Sequence, residues 1–96
     1  MEFEYDPAKS AANLDTHGID FEAAKALWDD EGRIWGPAEH PVEDRFMAIG
    51  RIGGSVWAAI YTMRSDRIRL ISVRRAKRKE RAKYVRAKDG GGADNG

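Results

Sequence analysis

The 96-residue sequence contains no cysteine and only two histidines. Without thiols it can form neither a disulfide nor a thiolate metal site, which fits a reducing cytoplasm. His17 falls at a predicted helix end and His40 in a proline-containing loop, so the two do not indicate a histidine pair or a metal site. An H-x-E motif, a D-x-D motif and a glycine-rich phosphate loop are also absent. We therefore expect neither a metal nor a cofactor.

Long apolar runs are missing as well. No stretch approaches the roughly 20 apolar residues that a membrane helix needs, and the acidic start MEFEYDP does not resemble a signal peptide. We expect a cytoplasmic protein without membrane contact, and the length predicts one domain over residues 1–88. The final segment DGGGADNG has too little apolar content to offset the entropy of ordering, so residues 89–96 are predicted to be a flexible tail.

Positive and negative charges nearly balance, but they are distributed unevenly along the chain. Residues 1–63 carry five basic and twelve acidic side chains, net −7, whereas residues 64–88 carry twelve basic and two acidic ones, net +10. Residues 89–96 contribute −2, which leaves the formal net charge of +1. A basic region attracts phosphate and an acidic region repels it, so an oriented approach to nucleic acid is reasonable. The same cations could equally dock an acidic protein.

The first third of the sequence predicts a strand followed by two helices. EFEY alternates acidic with aromatic residues and places Phe3 and Tyr5 on one face of a short strand. Asp6-Pro7 is typical of a helix start, and Gly18 of a helix end. A second predicted helix, FEAAKALW, has Asp20 as its N-cap and an apolar stripe that comprises Phe21, Ala24, Leu27 and Trp28.

The remainder predicts a strand meander and a last helix. RIW is a brief strand, and GPAEHPVED a loop. DRFMAIGRIG and SVWAAIYTMR flank Gly53-Gly54, a signal for a tight hairpin, and Ser65-Asp66 turns the chain into RIRLISVR. A helix then runs from about Ala76 to Lys88. The predicted order is β-α-α-β-β-β-β-α, an α+β fold with a small antiparallel sheet, two N-terminal helices and a C-terminal helix.

The basic region offers arginines to phosphate. Alternation along RIRLISVR places Ile68, Leu70 and Ser72 toward the core and Arg67, Arg69 and Ile71 on the other face. Planar guanidinium groups match phosphate geometry and keep their charge. Alternatively, these arginines pair with the acidic residues of the first 63 positions as a solvated surface. The candidate RNA-binding residues are Arg51, Arg64, Arg67, Arg69, Lys77 and Arg81.

The last predicted helix places Ala76, Glu80, Tyr84 and Ala87 on one stripe. Glu80 either clamps an arginine or transfers a proton beside a phosphate, and Tyr84 either packs or contacts RNA. His17 either completes a helix end or transfers a proton. If RNA is cut, attack by its own 2′-hydroxyl without a metal suits this inventory best. The candidate catalytic residues are Glu80, Arg74, Arg75, Tyr84 and His17.

Three stretches resemble one known family: FEYDPAKSAANLDTHGIDFEAAKALWDD, EDRFMAIGRI and YTMRSDRIRLISVRRAKRKERAKY. They are similar to BrnT, the ribonuclease toxin of a type II toxin–antitoxin system, whose pattern runs WDP-x-K-x-x-x-N-x-x-K-H-G near the start and R-I-I-S-A-R-x-A-x-x-x-E-R-x-x-Y near the end. The resemblance covers residues 2–84. Tyr5, Thr16 and Val73 depart from the pattern, where Trp, Lys and Ala are usual.

The resemblance implies a RelE-like fold, with helices packed on one side of the sheet and an open basic face for RNA. It also implies a metal-independent endoribonuclease that inhibits translation, and a partner antitoxin, BrnA, with a ribbon-helix-helix DNA-binding module. The complex would repress its own operon. The alternative function is a non-catalytic module that binds nucleic acid or an acidic partner through the same cations.

Overall fold

The computed structural model describes the backbone of residues 1–94 and the side chains of residues 1–89. Its strands are β1 (Glu2–Glu4), β2 (Ile34–Ala38), β3 (Arg45–Ile52), β4 (Ser55–Arg64) and β5 (Arg67–Arg75). Its helices are α1 (Pro7–His17), α2 (Phe21–Ala24), which continues as a 3-10 turn over Lys25–Asp29, and α3 (Arg78–Asp94). The α+β fold and the predicted element order are confirmed. Within the described residues, no helix is both long and apolar enough to cross a bilayer.

Both N-terminal helices begin where the sequence predicted, and α1 also ends where predicted. The Asp6 carboxylate accepts a hydrogen bond from the Ala8 N–H at 2.9 Å, which caps α1. Gly18 ends α1 in the left-handed conformation with φ of 79°. Asp20 caps α2 by accepting from the Ala23 N–H at 2.8 Å. The predicted second helix is tighter than expected after Ala24, because its second half is a 3-10 turn.

The sheet has the strand order β1-β5-β4-β3-β2. The neighbours from β2 to β5 pair antiparallel as predicted, and the Gly53-Gly54 turn joins Ile52 directly to Ser55 in the register. The sheet, predicted as a small antiparallel one, is mixed at one edge, because β1 pairs with β5 in parallel. Local sequence signals report hairpins, whereas this pairing joins strands separated by most of the chain. β2 also extends beyond the predicted RIW into Pro37, which an edge strand tolerates.

One sheet face packs against α1, α2 and the 3-10 turn. Phe3 and Tyr5 both lie against this core, as the alternation in EFEY predicted. The prediction that Ser72 joins Ile68 and Leu70 was wrong, because the β4–β5 register skips Ile71 and places Val73 on their face. The buried residues of this core are Ile19, Phe21, Ala24, Leu27, Ala48, Trp57, Ala59, Tyr61, Ile68, Leu70 and Val73.

The opposite face is partly covered by α3. Tyr84 is fully buried there against Ile49, Val56 and Ala58. The expectation that all helices lie on one side was therefore wrong, because the fully buried ring of Tyr84 holds α3 on the second face. α3 also extends to Asp94, past the predicted end near Lys88. The predicted flexible tail at 89–96 stays a prediction, since residues 95–96 and the side chains of residues 90–94 lie outside the described part.

Candidate nucleic-acid interface

The predicted RNA-binding arginines lie at two ends of the sheet. Arg67 and Arg69 lie at the start of β5, whereas Arg75 lies at its end. Arg75 lies eight positions after Arg67, which is roughly 26 Å at the usual rise of about 3.3 Å per residue. We call the start of β5, with Arg64, Arg67 and Arg69, the turn end. The region with Arg51, Arg75 and Arg81 is the hairpin end, since it surrounds the Gly53-Gly54 turn.

At the turn end, β1 supplies carboxylates to the arginines. The parallel register places Glu2 opposite Arg67 and Glu4 opposite Arg69. Glu4 lies 2.8 Å from Arg69 in a half-buried ion pair, and Glu2 lies 3.4 Å from Arg67 in an exposed one. The alternative from the sequence, in which arginines pair with the acidic first part of the chain, describes Arg67 and Arg69. Arg64 forms no ion pair with a described carboxylate.

At the hairpin end, three exposed arginines surround a shallow depression of about 270 Å³. Among residues whose side chains the structure describes, no carboxylate forms an ion pair with Arg51, Arg75 or Arg81. Their charge is therefore available to an external anion. The lining residues are Arg51, Gly54, Ser55, Val56, Arg75, Arg81 and Val85.

Aromatic rings support two of these arginines. The guanidinium of Arg75 lies 5.2 Å from the centroid of the Trp57 ring, and that of Arg51 lies 5.8 Å from the centroid of the Tyr84 ring. A ring attracts a guanidinium through its quadrupole but does not neutralise the charge, and the N–H groups at the guanidinium edge remain able to donate. Ring contact therefore positions Arg51 and Arg75 without using the groups that would bind phosphate.

Glu80 is engaged in two structural interactions at the start of α3. Its two carboxylate oxygens accept from the Arg74 guanidinium at 2.8 and 2.9 Å. One of them also accepts from the Lys77 N–H at 2.7 Å, which is half of a capping box. The Arg74 hydrogen bonds, assisted by the Lys77 N–H and opposed by partial burial, lower the pKa of Glu80 to about 2. Glu80 is thus ionised at neutral pH, where it is a weak base.

Tyr84 is also held within the fold. Its hydroxyl donates to Asp30 Oδ2 at 2.6 Å, and no surface of the residue is exposed. Lys88 Nζ lies 5.6 Å from the ring centroid and Arg51 approaches the same ring. In this arrangement Tyr84 supports cations rather than presenting its ring or hydroxyl to a ligand.

Asp30 joins three parts of the fold, and the sequence analysis did not identify it. Besides Tyr84, its carboxylate accepts from the Arg51 N–H at 2.8 Å and the Gly32 N–H at 2.8 Å. Burial raises the pKa of Asp30, but the hydrogen bonds from Tyr84, Arg51 and Gly32 outweigh it and leave the pKa below its ordinary value. The Asp-x-Gly spacing was a sequence signal for this turn, whereas the contacts with Arg51 and Tyr84 depend on the tertiary fold.

His17 lies away from this cluster. It is the exposed last residue of α1, the helix on the other sheet face. One turn earlier, the buried Asn13 donates to the carbonyl oxygens of Ile19 and Val73, both at 2.8 Å, and accepts from the Val73 N–H at 3.1 Å. These bonds fix α1 against β5. Among residues 1–89, no side-chain hydrogen bond or ion pair joins His17 to the hairpin end.

The other candidates are distributed as follows. Arg74 belongs to the Glu80 pair, and Lys77 directly precedes α3, whereas Arg64 is exposed beside the Ser65-Asp66 turn. The described side chains contain no group of three or more His, Asp or Glu residues placed to hold a metal ion. Of the predicted site residues, Arg51, Arg75 and Arg81 line one depression, and Tyr84 lies beneath Arg51. Arg74 lies on the α3 face opposite Ala58, whereas Arg75 lies opposite Trp57, whose ring belongs to the core of the other face.

A comparison with known protein families identifies the family of this chain. The family model for BrnT, the ribonuclease toxin of type II toxin–antitoxin systems, matches residues 5–80. The matched range covers α1 to β5 and ends in the first turn of α3, so it includes Arg51, Arg75 and Glu80. A search of curated proteins finds no matching sequence.

Proposed function

Because the chain belongs to the BrnT family of ribonuclease toxins of type II toxin–antitoxin systems, we propose that it cuts RNA at the hairpin end without a metal ion. The family gives the chain an RNA substrate and an antitoxin partner. The hairpin end is proposed as the RNA site because its three arginines have no carboxylate partners among the described side chains. The predicted arginine pair of the turn end is the competing location, and Glu2 and Glu4 compete with phosphate there.

In the proposed complex, one RNA phosphate lies among Arg51, Arg75 and Arg81. Attack of the 2′-hydroxyl oxygen on the adjacent phosphorus forms a cyclic phosphate and breaks the bond to the 5′-oxygen of the next nucleotide. The proton of the 2′-hydroxyl leaves, and the 5′-oxygen gains one. Negative charge develops on the phosphate oxygens in the transition state, and guanidinium groups held in place before the reaction stabilise it.

Proton transfer is the step with the fewest available groups. Glu80, with a pKa of about 2, is too weakly basic to accept a proton efficiently at neutral pH. We therefore propose that Glu80 and Tyr84 are positioning residues: Glu80 fixes the start of α3 through Arg74, and Tyr84 supports Arg51. His17 contributes only if the RNA reaches the other sheet face.

The partner is proposed to be a BrnA-type antitoxin with a ribbon-helix-helix DNA-binding module. The complex would repress its own operon, and the uncomplexed toxin would inhibit translation and growth in the cytoplasm. The family assignment supports a protein antitoxin, and the cations at the hairpin end support an acidic contact with it.

The test of this function is cleavage of RNA by the purified protein in the presence of EDTA. We expect fragments with cyclic phosphate or 3′-phosphate ends and with 5′-hydroxyl ends. RNA that is cut only after addition of a divalent cation would contradict the metal-independent reaction.

A second candidate function is non-catalytic binding of nucleic acid. The observation that favours it is the engagement of both Glu80 and Tyr84 in internal hydrogen bonds. Among the side chains that the structure describes, neither of these two predicted proton-transfer groups is then free at the hairpin end. In that case the same incubation would give RNA that is retarded on a native gel but remains intact.

A further inference from the structure

The outer side of α3 next to the hairpin end forms a second surface. It is a shallow depression of about 440 Å³, and all of its residues are exposed. We call it the α3 flank; its residues are Arg78, Arg81, Ala82, Val85 and Arg86. They recur at helical spacing, on a different side of α3 from Tyr84, whose side chain is buried against the sheet.

The α3 flank has an apolar centre and a cationic border. Val85 is 45% exposed, and Ala82 precedes it by nearly one turn. Within the described side chains, none of Arg78, Arg81 and Arg86 has a carboxylate ion-pair partner. An apolar centre with charged residues around it is the arrangement of a protein interface.

The α3 flank is continuous with the hairpin end. Arg81 and Val85 line both depressions. A molecule that covers the flank therefore also covers one of the three arginines proposed to bind RNA phosphate. Binding at the flank and binding of RNA would then exclude each other.

We propose that the α3 flank docks an acidic amphipathic helix of the antitoxin. An apolar side chain of that helix would contact Val85 and Ala82, and its carboxylates would bind Arg78 and Arg86. The stretch from Arg78 to Arg86 is roughly 12 Å long at about 1.5 Å per residue, which matches two turns of a partner helix. An amphipathic helix can place an apolar side chain against Val85 and Ala82, whereas an RNA backbone offers only charge at that position. A protein therefore fits this surface better than RNA does. The identity of the occupant as the antitoxin rests on the proposed function.

The test compares charge reversals at exposed positions of α3. Arg78→Glu combined with Arg86→Glu changes two flank residues that do not line the hairpin end. Lys83→Glu, its matched control, lies on the other side of α3, beside Ile34 and Trp35. Affinity for the separately purified cognate antitoxin and cleavage of RNA are measured for each variant at about 0.15 M salt, where the Debye length is about 8 Å.

We expect the double variant to bind the antitoxin at least about 30-fold more weakly and to cut RNA within about threefold of the unchanged protein. Lys83→Glu should leave both within about threefold. Unchanged antitoxin affinity in the double variant would overturn the docking site. Equal losses of RNA cleavage and antitoxin binding would assign the flank to RNA instead. If the unchanged protein cuts no RNA, the proposed function fails, and the antitoxin affinities still decide the docking site.

Discussion

The two ends of β5 carry similar arginines in different surroundings. At the turn end, Arg67 and Arg69 face the carboxylates of Glu2 and Glu4, because β1 lies beside β5 in parallel register. At the hairpin end, Arg51 and Arg75 lie on aromatic rings. A carboxylate holds a guanidinium by neutralising it, whereas a ring holds it and leaves its charge and its edge N–H groups available.

This difference explains why the number of arginines in a segment does not locate a phosphate site. Surface ion pairs contribute little to stability, with typical values of about 0 to 1 kcal/mol, but they place a negative charge where phosphate would otherwise bind. The aromatic rings hold Arg51 and Arg75 without placing a negative charge beside them, so the hairpin end is the proposed site.

The largest expected effect is on RNA cleavage at the hairpin end. Replacing both Arg51 and Arg75 with Ala removes two groups proposed to stabilise the transition state, and we expect cleavage to fall by about 10²-fold or more. Single-turnover rates on one RNA oligonucleotide measure this loss, with circular dichroism to establish folding. A folded double variant that keeps full activity would remove the hairpin end from the reaction.

The next effect separates the two roles of Glu80. Because Glu80 accepts two hydrogen bonds from Arg74 and one from the Lys77 N–H, Glu80→Gln should destabilise the fold by about 1 to 3 kcal/mol. The folded fraction should keep its rate of RNA cleavage. Denaturant unfolding and single-turnover cleavage on the same preparation provide both values. Unchanged stability with a loss of activity of about 10²-fold would establish proton transfer instead.

The ion pair between Arg74 and Glu80 predicts that the stability of the fold depends on pH. The folded-state pKa of Glu80, about 2, is below its ordinary value of 4.5. The contribution of Glu80 is therefore present above pH 4.5 and is lost as the pH falls from 4.5 to about 2. The difference in unfolding free energy between the unchanged protein and Glu80→Gln should shrink over this range. A difference that stays constant would contradict the ion pair.

A smaller effect is expected at the hydrogen bond between Tyr84 and Asp30. Tyr84→Phe keeps the ring beneath Arg51 but removes the donor to Asp30 Oδ2. Stability should fall by about 1 to 2 kcal/mol, and RNA cleavage by the folded protein should change less than threefold. Cleavage reduced by about 10²-fold in a stable Tyr84→Phe variant would give the hydroxyl a direct catalytic role.

The smallest effect is expected at His17. The residue is exposed and lies on the helix of the other sheet face. His17→Gln should change RNA cleavage less than about twofold between pH 6 and 8. A loss of activity together with a shifted pH profile would return His17 to the reaction.

Much of the fold could be predicted from local signals, because each signal acts within a few residues. The caps at Asp6, Gly18 and Asp20 and the Gly53-Gly54 turn are of this kind. The parallel β1–β5 pair is not, since it joins strands distant in sequence. The skipped Ile71 is not either, since the bulge depends on how β4 and β5 pair rather than on the alternation within β5.

The candidate site likewise has features that the sequence predicted and features that depend on the tertiary fold. The sequence identified its arginines by type and position, and the stripe on α3 that includes Glu80 and Tyr84. It could not identify which arginines face carboxylates, because that depends on the register of β1 against β5. It also missed Asp30 and Trp57, whose contacts join residues far apart in the chain.

The salt dependence of RNA binding by two matched double variants tests the comparison most directly. One variant carries Arg51→Gln and Arg75→Gln, and the other carries Arg67→Gln and Arg69→Gln, so both lose the same charge. For single-stranded RNA each phosphate contact contributes about −0.7 to the slope of log K against log salt concentration. Our account predicts that the first variant flattens the slope by up to about 0.7, the contribution of the one phosphate proposed to lie among these arginines, and that the second leaves it nearly unchanged. Flattening in the second variant alone would contradict it and place RNA at the turn end.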